Sequence, residues 1–331
     1  MGMEILGRQI ELGVALETTR GTAETTAEHW IKNVTASVQE RAEHAIDDNS
    51  HGSLADSDNR RVTKKWVEGS LEGILQVDVV GYFFYNIFGS ISSTSVVSGV
   101  YSHEITLDST TIEHPSLTFF AKDGGVQNLN ISNGMISSLE INASMDDYVR
   151  FTTNIMASTA EDGSDTPAYQ DEQDFVGKDI TIKVADTEGG LTSASALSIK
   201  ELGITFDTGA IVDYVLGNYN PEDIYDGKLS IEGNLSKNFV DETFKDLFLG
   251  DDAKYMEIAI VGSQEIGATA NPSIIITLNK VKVTGWERSG GNDELVSESI
   301  DFKAFFNSDD EEVGKITIVN NTAEYDTPIS S

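Results

Sequence analysis

The chain contains no cysteine. Disulfide staples, thiolate metal sites and cysteine nucleophiles are therefore excluded together. Proline is nearly as scarce, five residues in 331, and no Pro/Ser-rich run occurs, which argues against long disordered tails. No apolar run is long enough to cross a bilayer. The longest, residues 77–88, contains Asp78 and reads as a buried helix. At the N-terminus Glu4, Arg8 and Glu11 interrupt the apolar stretch that a signal peptide requires, so none is expected. Positive charge is the last scarcity. Lys and Arg number 22 against 55 Asp and Glu, a formal net charge of −33. Such a surface repels nucleic acid and anionic membranes. It fits solubility in a crowded or salty medium, a surface that must not hold passing DNA, or a cation-covered halophilic surface. Composition alone leans to the first.

Chemistry-bearing motifs are missing as well. The phosphate-binding loop, the glycine-rich dinucleotide fingerprint and the His-Glu-x-x-His zinc motif do not occur. All five histidines (His29, His44, His51, His103 and His114) lie in the first half and read as surface or loop residues. Residues 47–59 are rich in oxygen ligands but lack the spacing of a calcium loop, and read as a solvated loop. No catalytic, cofactor-binding or metal-binding residue is assigned, and no enzyme is expected.

What the chain does have is a repeat. Gly7-Arg8-Gln9-Ile10-Glu11-Leu12-Gly13-Val14-Ala15 lines up with Gly177-Lys178-Asp179-Ile180-Thr181-Ile182-Lys183-Val184-Ala185. Trp30–Val34 lines up with Ser198–Leu202, Leu71-Glu72-Gly73 with Ile231-Glu232-Gly233, and Phe88-Gly89 with Leu249-Gly250. The offset drifts from 170 to 168, 160 and 161, as it does when loops change length between fixed elements. Period-two alternation, the signature of strands, dominates both copies, as in Ile180, Ile182 and Val184 or Ile300, Phe302 and Ala304.

The period changes once in each half. Residues 238–250 place Val240, Phe244, Leu247 and Phe248 on one helical face, with Asn238 and Asp241 as an N-terminal cap and Gly250 in the left-handed position past the end. The counterpart, residues 78–89, is apolar on nearly every side. Sheet on one face and a neighbouring subunit on the other are expected to cover it.

These patterns predict a mainly β chain of two tandem β-sandwich or open-barrel domains, each with one flanking helix and one long loop. The first spans residues 1–160 and the second residues 175–331. Residues 161–174, acidic and without apolar period, form the linker. The long loops are residues 39–63 and 207–226, and loops of that length are usually functional or disordered.

Taken in order, several of these residues resemble the tail tube (major tail) proteins of long-tailed, siphovirus-like bacteriophages and related viruses. They are Gly7-Arg8-x-Ile10-x-Leu12-Gly13 running into Glu17-Thr18-Thr19-Arg20-Gly21-Thr22, then Trp30 and Lys65-Trp66-x-Glu68-Gly69-Ser70-x-Glu72-Gly73. The helix ending at Gly89, His114-Pro115-Ser116-Leu117 and Gly134–Asn142 follow. The resemblance covers the first half directly and the second mainly through the repeat. It implies a β-sandwich with a flanking helix whose sheets join around a ring into an inner barrel. The duplication makes three chains per ring, pseudo-six-fold, the expected form; the alternative is an outward-facing second domain on a six-fold ring. It also implies a virion component made in the host cytoplasm. The implied partners are further copies of itself, a tape-measure protein in the lumen, and tail terminator and distal tail or baseplate proteins at the ends. DNA is expected to transit without specific binding, with no membrane contact and no cofactor. Much of the negative charge is expected to face the lumen. The long loops are expected to carry the ring-to-ring contacts through Asp47, Asp48, His51, Asp56, Asp58, Arg60, Arg61, Tyr214, Tyr219, Asp223 and Tyr225. Another self-assembling β-sandwich tube or surface-layer protein, and a carbohydrate- or ion-binding β-sandwich module, are the competing readings.

Overall fold

The computed structural model describes residues 4, 6–49, 52–54, 56, 57, 59–267 and 269–325. In the first half the strands are β1 (Ile10–Leu16), β2 (His29–Ile31), β3 (Val34–Ile46), β4 (Arg60–Ile74), β5 (Gly89–Val97), β6 (Val100–Leu107), β7 (Leu117–Asp123), β8 (Gln127–Ser144), β9 (Arg150–Ala157) and β10 (Thr159–Asp162). Helix α1 (Val79–Phe88) lies between β4 and β5. The second half contains β11 (Ile180–Ala185), a single turn α2 (Glu188–Leu191), β12 (Ile199–Asp207), β13 (Ile211–Asp213), β14 (Asp223–Tyr225) and β15 (Ser230–Asn238). It continues with α3 (Thr243–Leu249), β16 (Lys254–Val261), β17 (Ser273–Ser289), β18 (Ser297–Ala304) and β19 (Gly314–Asn320). The chain is mainly β, as expected.

One strand order occurs twice. In the first half β1 pairs with β7, then β8, β9, β4 and β3 follow, every pairing antiparallel. In the second half β11, β16, β17, β18, β15 and β12 repeat that order. Both copies open on a 3-10 turn, Gly7–Gln9 and Gly177–Asp179, as the repeated Gly-basic-x-Ile predicts. The repeated aliphatic-Glu-Gly has a packing cause. Leu71 and Ile231 point into the core, while Glu72 and Glu232 face out. The two glycines sit against the ring of the next strand: a Cβ on Gly73 would lie 3.1 Å from Phe151, and one on Gly233 2.4 Å from Phe302. Partner for partner, Val34 beside Gly73 corresponds to Ile204 beside Gly233. The sequence match of Val34 to Leu202 is thus two residues out, a slip that strand periodicity cannot detect because it keeps every side chain on its own face.

The turn after β1 also has a physical reason. Buried Glu17 accepts from Gly21 N at 2.7 Å, Asn133 N at 2.7 Å, Ser116 Oγ at 2.5 Å and Thr118 Oγ1 at 3.1 Å. Gly21 has φ +77°, a conformation that glycine adopts without strain. Glu-x-x-x-Gly is therefore a structural signature.

Helix α1 ends on Gly89 at φ +83°, the left-handed cap that the sequence assigned to its counterpart Gly250. It is enclosed by its own chain, not by a neighbouring subunit. Phe83 meets Phe151 of β9, Phe84 and Phe88 meet Phe206 of β12, and Tyr82 meets Tyr325 near the C-terminus. Helix α3 is shorter than expected. Asn238 ends β15, Asp241 Oδ1 accepts from Thr243 N at 3.0 Å, and Gly250 is extended at φ −93°, not left-handed. Of its supposed apolar face only Phe244 is buried; Val240 and Phe248 are exposed.

Two further expectations need correction. Residues 159–174 connect the halves but are docked. β10 pairs with β8, Asp165 accepts from Ala27 N at 2.7 Å, and Glu172 Oε2 accepts from Asp78 N at 2.9 Å. Three histidines read as surface residues are buried. His29 is bonded to Glu172, His103 to Ser93 and Asn320, and His114 to the carbonyl of Ile87. His44 is exposed, and His51 lies outside the described residues.

Buried Asp78 sits just before α1, and burial reinforced by the Glu172 carboxylate raises its pKa to about 6, although Thr322 and His29 oppose this. A carboxyl raised in the folded state stabilises the fold fully below its unfolded pKa, and that contribution is lost as pH rises through about 6. Asp78→Asn keeps the shape and removes the charge. It is expected to raise unfolding free energy at pH 8 by about 1–3 kcal/mol, with the gain gone by pH 4. Urea titrations at both pH values check this; an equal change at both removes Asp78 as the titrating group.

Candidate assembly surface

The long strands β8 and β17 turn a corner between two layers. The first part of β8 pairs with β7 and β10, and the first part of β17 with β16 and β19. Their later parts pair with β9 and β18. The halves are joined in both layers: β12 pairs with the outer edge of β8 from Ser138 to Ser144, and β6 pairs with β19. The result is an eight-stranded wall in the order β3-β4-β9-β8-β12-β15-β18-β17.

The wall has one buried and one solvated face. A single row of opposed residues on the solvated face crosses all eight strands: Thr35, Glu72, Thr152, Glu140, then Thr205, Glu232, Lys303, Lys282. The second four positions repeat the first four with no shift along the strand. Neighbouring rows are Ser, Thr and Asn with more acid than base, including Glu68, Glu201, Asp207 and Asp301 against Arg41 and Arg150.

Both outer edges of the wall are open among the described residues. The second edge of β3 has no strand partner, and neither has that of β17 from Lys282 to Ser289; above this, Val281 pairs with Lys254 of β16. Open edges of this kind are templates for another chain.

At one end of the wall β3 and β4 run on together as a two-stranded ribbon, paired as far as Ile46 and Arg60. Residues 39–63, expected as a loop, are thus about half strand, and residues 47–59 form the tip. Asp47, Asp48 and Asp56 lie on that tip. Arg60 and Arg61 begin β4 opposite Ile46 and Ala45, and His51 and Asp58 lie outside the described residues. The other expected contact residues are used within the chain. The 207–226 segment, with its small β13–β14 sheet, folds back over the first half. Tyr219 O accepts from Lys65 N at 2.7 Å, and Lys64 lies 4.7 Å over the Tyr214 ring. Tyr225 pairs with Ile211. Asp223 is salt-bridged to Arg20 at 3.0 Å and accepts from Asn133 at 3.0 Å; burial works against its ionisation, but these bonds hold its pKa below the usual carboxylate value. Arg20 is also bonded to the carbonyls of His114 and Ile224. The two long loops therefore meet, the second bracing the base of the first.

At the opposite end, the β8–β9 and β17–β18 turns are structural equivalents. They expose Met145 and Tyr148 in one and Leu295 and Val296 in the other. Sequence reasoning named neither these residues nor the strands, β3 and β17, that hold the open edges. Comparing burial between the two copies is the signal that finds them.

A continuous antiparallel wall with two open edges among the described residues, its strand order used twice, is a β architecture whose edges offer templates for a further strand. A family model described as phage tail tube protein matches residues 7–304, and the chain belongs to that family. No curated protein matches the chain. No helix among the described residues is long and apolar enough to cross a membrane.

Proposed function

We propose that three chains join wall to wall into a ring, and that the rings stack into the hollow tail tube of a virion. The tape-measure protein and then the viral DNA pass through it. Terminator and distal tail or baseplate proteins close its ends. The observation that carries this reading is the β8–β12 pairing, a tube-unit junction already made inside one chain.

Width supports three chains. Strands lie about 4.8 Å apart, so three eight-stranded walls give a circumference of about 115 Å and a diameter of about 37 Å. Side chains occupy about 5 Å on each side, leaving a bore of about 27 Å, wider than a DNA duplex. Two chains leave about 14 Å, too narrow for one. Because the residue row repeats without a shift, the wall strands run along the tube axis. The β3–β4 ribbon then projects axially towards the next ring. End-on electron micrographs of the purified chain test the reading. Hollow rings with three-fold, pseudo-six-fold outline are expected; a dispersed monomer at all concentrations refutes it.

The solvated face of the wall is the lumen in this arrangement. Its acidic excess is only a small share of the −33, so most of the negative charge lies elsewhere, contrary to the sequence expectation. What remains is still of the sign that repels phosphate. Tubes carrying Glu72→Lys and Glu140→Lys are expected to retain double-stranded DNA at low salt and to release it as salt rises, whereas unaltered tubes retain none. A filter-retention assay reads this, and failure of the altered tubes to hold DNA rejects the lumen assignment.

A further inference from the structure

We infer that the seam between two copies keeps the register of the seam inside one chain, with Val34 and Thr35 at the start of β3, and residues 31–33 before them, set against residues 282–287 of the next copy. This rests on the tube reading and specifies which surfaces meet and in what register. Inside the chain Thr205 opposes Glu140 and Ile204 opposes Ile141. By their shared partners across the wall, Thr35 corresponds to Thr205, Val34 to Ile204, Lys282 to Glu140 and Val283 to Ile141. Between copies, Thr35 therefore faces Lys282 and Val34 faces Val283.

Two features of the buried side agree. Under β12 the cleft lined by Gly177, Ile180, Ile199 and Leu202 is closed by Ala143, Ser144 and Met145 at the end of β8, leaving about 60 Å³. The corresponding cleft under β3, lined by Gly7, Ile10, Ile31 and Val34, is open, at about 1030 Å³. The residue of β17 that corresponds to Ala143 is Trp286, set against Ile300 and only half-buried. In the next copy its ring lies where it would enter the open cleft. The helices tell the same story. Phe88, before Gly89 in α1, is buried against Phe206 of the second half. Its sequence counterpart Leu249, before Gly250 in α3, is 71% exposed, and Phe248 beside it 40% exposed. Ala36 takes the place of Phe206 beneath the next β3. An apolar ridge, an open apolar cleft, the free edge of β17 and the start of the free edge of β3 thus lie where a second copy of this chain covers them.

The absence of cysteine makes the seam directly readable. Directly opposed strand residues lie within disulfide reach. Thr35→Cys with Lys282→Cys in assembled material is expected to give covalent dimers and trimers and nothing larger. Thr35→Cys with Glu287→Cys, off register, is expected to give none, while Glu140→Cys with Thr205→Cys closes within one chain as the oxidation control. Leu249→Asp, at an exposed position, is expected to leave the monomer's circular dichroism and melting unchanged. It should raise the concentration needed for assembly at least about tenfold. Tubes in the micrographs without the Thr35–Lys282 cross-link overturn this seam and leave the tube reading standing. No assembly by the unaltered chain at any concentration overturns both.

Discussion

A chain in which residues 48–58 are replaced by Asn-Gly is expected to fold, to close into rings and to form no tubes. Asp47 N already donates to Asn59 O at 3.2 Å, so the ends to be joined are adjacent, and Asn-Gly is the dipeptide that closes a two-residue hairpin. The deletion removes Asp48, Asp56 and fully exposed Leu54, with no core side chain among the described residues of the tip. In the ribbon beneath it β3 is exposed on both faces from Glu40 to Ile46, and of β4 residues 60–66 only Val62, Lys64 and Trp66 are half-buried. An isolated two-stranded ribbon is at best marginally stable in water. In the proposed stack of rings, a surface of the next ring receives it. The turns at the opposite end, with Met145, Tyr148, Leu295 and Val296 exposed, are that surface in the stacked arrangement. Sedimentation with negative-stain microscopy reads the result: single rings at every concentration are expected. Tubes of normal length from the shortened chain would move ring stacking to other parts of the molecule.

Phe206→Ala is expected to destabilise the folded chain by about 3–5 kcal/mol, the range for emptying a buried aromatic site. Phe206 is fully buried, with its ring 5.3 Å from that of Phe84 and 6.0 Å from that of Phe88. It belongs to the second half, whereas the helix it covers belongs to the first. The cavity lies between β12 and α1, and the β8–β12 pairing on one side and Tyr325 on the other keep α1 from moving to fill it. The loss should appear in a single unfolding transition, since both halves share one hydrophobic core. Guanidinium unfolding followed by tryptophan fluorescence and by circular dichroism measures it. Two separated transitions in the unaltered chain would show that each half unfolds alone, and a loss under 1 kcal/mol would show that α1 is held by other contacts.

Much of the fold was legible because alternation and repetition are local or self-referential signals. β11, β12 and β18 lie where period two places them, and the glycine after Phe88 decided for a helix where Val, Phe and Tyr alone suggest a strand. What stayed hidden depends on long-range partners. β3 from Val38 on is polar and charged on both faces, so its alternation vanishes although its pairing with β4 continues. β5 is largely Ser and Thr. The acidic stretch after β9 carries no apolar period, yet the side chain of Glu172 is almost wholly enclosed beside His29. The intrachain role of the 207–226 segment was hidden for a related reason. Composition marks a long charged loop, but only the fold reveals that Arg20, 203 positions away, holds Asp223. The open edges were invisible as well, because an edge strand and an inner strand of one repeated sheet carry the same pattern.

The hairpin of β5 and β6 belongs by sequence to the first half but adds to the outer sheet of the second through β19, and the second half has no such hairpin after α3. In the proposed three-chain ring the six unit-to-unit lines would therefore be of two kinds. Three are clasped in both layers, by β8–β12 inside and β6–β19 outside, and three are held by the wall and its underlying helix alone. A tube of such rings, under bending strain or internal pressure, is then expected to split lengthwise along three lines, not six, and to shed pieces one whole chain wide.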